Sequence, residues 1–224
     1  MKVSVVIPAY NEEQYLETCL RHVLDQEEPA DEVIVIDNNS TDKTAEIAKK
    51  MGVKVIRETT QGMIPTRNRG FNEASNEIIA RTDCDTRVPR NWIKIIKEDF
   101  AKYDIDALGG PVFFYDLKGF LTTKFFDTVY SASVGFIYGH KILIGPNMAI
   151  KKSIWEKVKD EVCLDDKKVH EDVDLSVHIH KHKGRIMIDK RLLIGMSGRR
   201  LKSNPLSFFI EYPIRHLKTR LTHL

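Results

Sequence analysis

Residues 3–42 read VSVVIPAYNEEQYLETCLRHVLDQEEPADEVIVIDNNSTD, and the alternation inside this stretch decides the fold. Val3–Ile7 is a short, β-branched apolar run closed by Pro8, too short for a helix and suited to a buried strand. From Glu12 to Leu24, the residues Leu16, Cys19, Leu20, Val23 and Leu24 recur at three- and four-residue spacing, the stripe of an amphipathic helix. Val33–Ile36 is apolar throughout, as parallel strands covered on both faces are. Ser40, Thr41 and Asp42 then offer N-cap oxygens to a helix that runs to Met51 and stops at Gly52.

The same rhythm continues outward from this stretch. Val53–Ile56 predicts a third strand, Pro65–Ala74 a helix and Glu77–Thr82 a fourth strand. Strand–helix units at this spacing predict an α/β fold with a mostly parallel central sheet flanked by helices. Beyond Asp85 the pattern loosens. Pro89 suits a first helical turn, followed by the apolar face Trp92, Ile95, Ile96 and Phe100. Ile105–Val112 predicts a strand ending at Gly109-Gly110-Pro111, Phe113–Tyr138 is aromatic-rich without a clean period, and Ile142–Ile150 is strand-like but broken by Gly145-Pro146. His170–Lys183 predicts a helix, Arg185–Ile188 and Leu192–Met196 strands. No repeat or linker divides the chain, so residues 1–200 are expected to form one domain, followed by a basic amphipathic segment over 201–224.

Composition narrows the class. Of 224 residues 42% are apolar and 30% charged, an ordinary globular balance that excludes disorder and collagen-like or low-complexity chains. No apolar run reaches the ~18–20 residues of a membrane span, and the N-terminus continues into structure rather than into a signal peptide. Cys19, Cys84 and Cys163 are odd in number and lack a CxxC, which predicts reduced thiols and a cytoplasmic location. The net charge of +3 conceals a gradient: residues 178–224 hold eleven Lys/Arg against two acids. Such a basic quarter suits an anionic partner, and Ile210, Tyr212, Ile214, Leu217, Leu221 and Leu224 give it an apolar stripe. The segment is expected to pack on its own domain, to dock a partner or to lie on the inner face of a membrane.

In open parallel sheets, ligands bind outside the carboxyl ends of the strands. Three of the expected strands end there in polar residues: Pro8-Ala9-Tyr10-Asn11-Glu12, Asp37-Asn38-Asn39-Ser40 and Asp83-Cys84-Asp85. No G-x-G-x-x-G or Walker motif follows the first strand, which excludes the dinucleotide fingerprint and the ATP-hydrolysing P-loop. Asp83 and Asp85, two residues apart on an extended chain, point to one side and suit Mg²⁺ or Mn²⁺ bridging to a diphosphate. Asp37 either accepts bonds from a ribose or base or opens its own turn. In His170-Glu171-Asp172-Val173-Asp174 the acids favour a helix start, and one of them is also suited to act as a general base; the sequence does not choose among Glu171, Asp172 and Asp174. His178, His180 and His182 alternate at a spacing of two, wrong for one helix face, which favours solvated side chains over a metal cage. Gly195–Arg200 is a small-residue loop ending in two guanidiniums, suited to close over a diphosphate.

Four segments in order, VVIPAYNEEQYLETCL (5–20), EVIVIDNNSTDKTAEIA (32–48), ARTDCDTRVPRNW (80–92) and HEDVDLS (170–176), resemble the family 2 glycosyltransferases of the GT-A fold. The resemblance spans about residues 1–200 and implies an inverting, divalent-metal-dependent transfer of a sugar from a nucleoside-diphosphate sugar to an acceptor hydroxyl. It implies that Pro8, Ala9, Tyr10 and Glu12 line the nucleotide pocket and that Asp37 holds the base or ribose. By the same resemblance Asp83 and Asp85 bind the metal and diphosphate, and Asp172 is the base. Arg67, in TRNRG, falls where relatives carry a basic residue near the donor, and Gly145-Pro146-Asn147-Met148 looks like the acceptor-side strand. The Q-x-x-R-W of processive members is missing after Arg199-Arg200, which counts against a polysaccharide synthase. The expected partners are a UDP- or GDP-sugar and a glycan or lipid-linked acceptor, with no nucleic acid. Two other classes fit the sequence less well. A nucleotidyltransferase would want a Gly-rich basic loop after the first strand, which is absent, and a non-catalytic anion-binding module would use the basic C-terminal segment.

Overall fold

Val3–Ala9 forms β1, an interior strand of a sheet whose parallel half also holds β2 (Glu32–Asp37), β3 (Lys54–Arg57) and β4 (Ile78–Arg81), in a computed structural model that describes residues 1–117, 138–204, 214, 215, 218–220 and 223. β1 pairs in parallel with β2 on one side and β4 on the other, and β2 pairs with β3. The connections are α1 (Leu16–Leu24), α2 (Thr44–Lys50) and α3 (Met63–Glu73). Period-two alternation sorts β1 between two cores: Val3, Val5, Ile7 and Ala9 join α1 and α4 (Trp92–Lys102), while Val6 joins α3. α3 approaches the sheet so closely that a Cβ on Gly70 would overlap Val6 Cγ1, which is why glycine sits there.

The second half of the sheet is mixed. β8 (Met148–Lys151) lies antiparallel between β4 and β6 (Ala107–Gly109), and β9 (Ile186–Ile188) closes the edge, giving the order β3-β2-β1-β4-β8-β6-β9. A smaller sheet pairs β5 (Thr86–Arg87), β10 (Ile194–Met196) and β7 (Val112–Phe114). α5 (Lys152–Val158), α6 (Glu171–Lys181) and the short α7 (Arg199–Ser203) complete the described elements. This is the expected α/β fold with a mostly parallel sheet.

The expected single strand over Ile105–Val112 is two strands in two different sheets. The break falls at Gly110-Pro111, where Pro111 has no N–H to donate and Gly110 packs so tightly on Leu192 that a side chain would collide. Asn147 holds the break together: its amide nitrogen donates to Pro111 O (3.0 Å) and Leu192 O (2.6 Å), and its oxygen accepts from Trp92 Nε1 (3.0 Å). Gly145–Asn147 is a 3₁₀ turn, so the strand-like run over Ile142–Ile150 shortens to β8. Residues 118–137 of the aromatic segment, and all of the C-terminal segment except residues 201–204, 214, 215, 218–220 and 223, lie outside the described residues.

Candidate active site

Each strand end is fixed by its neighbour. Asn11 and Asn39 take left-handed backbone (φ 53° and 59°), a conformation asparagine tolerates. The Asn11 N–H donates to Ser40 Oγ (3.0 Å), Asn11 Oδ1 accepts the Thr41 N–H (2.8 Å), and the Glu12 N–H donates to Thr44 Oγ1 (2.7 Å). The loops after β1 and β2 are thereby one unit. Register puts Ala9 beside Asp37 and Val6 beside Arg81, so the chain after β4 rises alongside the end of β1, and Cys84 Sγ donates to Pro8 O (3.2 Å).

These ends open into a cavity of about 490 Å³. Pro8, Ala9, Tyr10, Glu12, Asp83, Asp85 and Asp172 all line it, so seven of the residues expected from sequence meet in one place. Asp37 and Arg67 do not reach the wall. Asp37 is buried just behind it, its carboxylate accepting the Ser40 N–H (3.3 Å), and the wall position belongs to Asn38. Arg67 is fully buried on α3 and donates to Glu171 O (2.6 Å) and Glu171 Oε2 (2.9 Å). Its place behind the site is a consequence of the inward face of α3, which the TRNRG stretch alone does not reveal.

Glu12 and Asp85 share one guanidinium. Arg199, delivered by β10 and the start of α7, grips both Glu12 carboxylate oxygens, reaches Asp85 Oδ2 with Nε (2.8 Å), and stacks over the Tyr15 ring. Arg81 joins Asp83 Oδ1 (3.1 Å) to Glu171 Oε1 (2.5 Å). Burial pushes the Asp85 carboxyl up, Arg199 draws it back, and Asp83 and Glu12 push it further, to about 6. A carboxylate so disfavoured as an anion, facing two more, is short of positive charge. An all-oxygen set with that deficit fits a hard divalent cation of the Mg²⁺ or Mn²⁺ kind.

The three acids of α6 part company. Glu171 is clamped by Arg67 and Arg81. Asp174 is wholly buried and turned toward His178 and His223, away from the cavity. Asp172 lines the cavity: Oδ2 accepts the Gly145 N–H (2.8 Å), while Oδ1 accepts the Val173 N–H (2.9 Å) and meets His170 Nδ1. Burial alone would raise its pKa, but His170, the Gly145 N–H and Arg81 together hold it well below the usual carboxylate range. His170 is the wall residue that sequence reading left without a role, although HED already placed it next to the acids. The expectation that His178, His180 and His182 are all solvated fails for His178, which is buried because α6 turns Asp174 and His178 to one inward face. Among the described residues, no helix is long and apolar enough to cross a membrane.

Residues 4–159 match the family model described as Glycosyl transferase family 2. Glycosyltransferase AglE of Haloferax volcanii is 32% identical over 134 residues, 56% of this chain and 44% of AglE. The dolichol-phosphate mannosyltransferase of Pyrococcus furiosus is 38% identical over 115 residues, 49% of this chain and 33% of that protein. The matched stretch is thus less than half the length of either relative. Among solved structures, mannosyltransferase PcManGT from Pyrobaculum calidifontis, in complex with GDP-Man and Mn²⁺, is similar with a TM-score of 0.77 at 21% identity, covering 99% of this chain and 64% of that one. At such identity the likeness speaks for the fold. With the family model spanning well over half of its length, the chain belongs to glycosyl transferase family 2.

Proposed function

We propose that the chain transfers a sugar from a UDP- or GDP-sugar to an acceptor hydroxyl, with inversion at the anomeric carbon and with Mn²⁺ or Mg²⁺ held by Asp83 and Asp85. The observation that carries this reading is the gathering of Glu12, Asp83, Asp85 and Asp172 in one cavity at the carboxyl edge of the sheet. The GDP-Man and Mn²⁺ of PcManGT support the donor class and the metal.

When bound, the metal offsets the charge that develops on the departing diphosphate. The other tasks fall to the chain's own residues. Pro8, Ala9 and Tyr10 line the nucleotide end, with Asp37 behind them, and Arg199 presents a fork suited to phosphate oxygens. Arg67 acts from behind the wall by holding Glu171. Asp172 takes the proton of the acceptor hydroxyl as its oxygen bonds to the anomeric carbon. The bond from that carbon to the diphosphate oxygen breaks, and its electron pair leaves with the diphosphate. Attack from the face opposite the leaving group inverts the centre. Positioning of the two substrates contributes much of the remaining acceleration. The basic run over residues 178–224 supports an acceptor that is lipid-linked or presented at a membrane surface.

The test is a melting series with UDP, GDP, CMP and TDP, each with Mn²⁺ or with EDTA. A nucleotide at ~100 times its dissociation constant adds about 2.7 kcal/mol, which for a chain of this size raises the midpoint by roughly 5–10 °C. A rise with one nucleoside diphosphate that vanishes in EDTA is expected. No rise with any of them would sink the donor-site reading.

A further inference from the structure

Outside the cavity, two histidines and an aspartate converge on the inward face of α6. Asp174 and His178 stand one turn apart, both buried, and His223 reaches them from the C-terminal segment. That segment docks here through a second contact, the His170 N–H donating to Thr219 Oγ1 (2.7 Å). His223 Nε2 lies 2.8 Å and His178 Nε2 3.8 Å from the same Asp174 oxygen, and one ligand atom from each residue falls within 4.8 Å of the others. Donors about 2.0–2.1 Å from a tetrahedral ion sit roughly 3.3–3.4 Å apart, so the two observed separations straddle the required one.

The outer partners are already in place. Asp174 Oδ2 accepts the Cys163 N–H (2.9 Å), leaving Oδ1 to face the histidines. Glu161 Oε2 faces His178 Nδ1 (3.4 Å), the carboxylate–histidine arrangement that orients a ligating imidazole. With Nδ1–H turned to Glu161, a neutral His178 aims the lone pair of Nε2 at a carboxylate oxygen. Lone pair against carboxylate is an arrangement that a cation resolves. His223 Nδ1 now accepts from Lys181 Nζ (3.2 Å), an exposed side chain free to swing aside when that nitrogen carries a proton.

We infer that Asp174, His178 and His223 form a divalent-metal site of the zinc type, separate from the strand-end acids, that clips the C-terminal segment onto α6. Two borderline imidazole nitrogens with one carboxylate oxygen make a mixed set that suits zinc, unlike the all-oxygen set of Glu12, Asp83 and Asp85. The inference stands whether or not the donor reading does.

The full chain, stripped with EDTA, is titrated with Zn²⁺ against a chromophoric chelator, alongside His223→Ala, Glu161→Gln and Asp85→Asn. His223 is chosen because it lies in the docked segment, whereas replacing His178 cuts into the buried face of α6. One equivalent should bind to the wild type and to Asp85→Asn alike. Glu161→Gln, which removes an outer partner, should weaken binding ~10–100-fold, and His223→Ala by more than that. Co²⁺ in place of zinc should give a visible absorption band that His223→Ala abolishes. Zinc binding that His223→Ala leaves intact, that Asp85→Asn removes, or that the wild type lacks would each overturn the site.

Discussion

Glu171 and Asp172 are adjacent in sequence and serve different ends. Glu171 grips both Arg67 and Arg81, two guanidiniums that are themselves almost wholly buried. Glu171→Gln leaves the buried Arg67 without its counterion and Arg81 with Asp83 alone, a loss of ~3–5 kcal/mol, and thermal denaturation should show a midpoint lower by on the order of 6–20 °C. Asp172→Asn should instead leave nucleotide binding intact and cut turnover ~10²–10⁴-fold. If turnover survives, the base lies elsewhere. Asp85 supplies a pH test. Its folded-state pKa of about 6 lies above the ordinary carboxyl value, so the folded chain holds extra proton between about pH 4 and 6, and its stability falls as pH rises through that window. In metal-free buffer Asp85→Asn should lack that component, so its advantage over wild type grows from pH 4 to 6. Parallel melting profiles across that range would contradict the charge deficit.

At the scale of elements, what was legible depended on length and burial. β1, β2 and β4 read directly from Val3–Ile7, Val33–Ile36 and Glu77–Thr82 because strands covered on both faces are unbroken apolar runs. β9 and β10 fall inside the expected runs Arg185–Ile188 and Leu192–Met196, whereas β5, with two residues, carries no period and Gly110-Pro111 cut one expected strand into β6 and β7. The strand-end acids were legible because the sheet dictates where its carboxyl ends must lie. Arg67 was not, since its burial depends on which face of α3 turns inward. Gly70 shows how tightly that face is set. Gly70→Ala adds a methyl where Val6 already stands, and should cost ~1–3 kcal/mol by denaturant unfolding with the far-ultraviolet circular dichroism unchanged. An alanine variant as stable as wild type would mean that α3 can lift off the sheet without cost.

For the whole molecule, the sequence yielded the α/β class, the edge where ligands go and seven of the cavity-lining residues. It did not yield contacts between distant parts of the chain. His223 meets Asp174 across 49 positions and Arg199 meets Glu12 across 187, and no spacing rule connects residues so far apart. His178 departs from expectation because α6 turns it inward beside Asp174, where it meets His223 from the end of the chain.

The strand order carries one more consequence. β8 runs against its neighbours between β4 and β6, and the strand-end residues from Pro8 to Asp85 come from the first 85 residues, with Arg199 reaching back to Glu12 and Asp85. Gly145, Glu171 and Asp172 come from the chain that follows. On the proposed roles, the grip on the donor and the approach of the acceptor are drawn mostly from separate stretches of the chain. A crossover upstream of β8 would exchange the second together with Arg199 while keeping the strand-end acids.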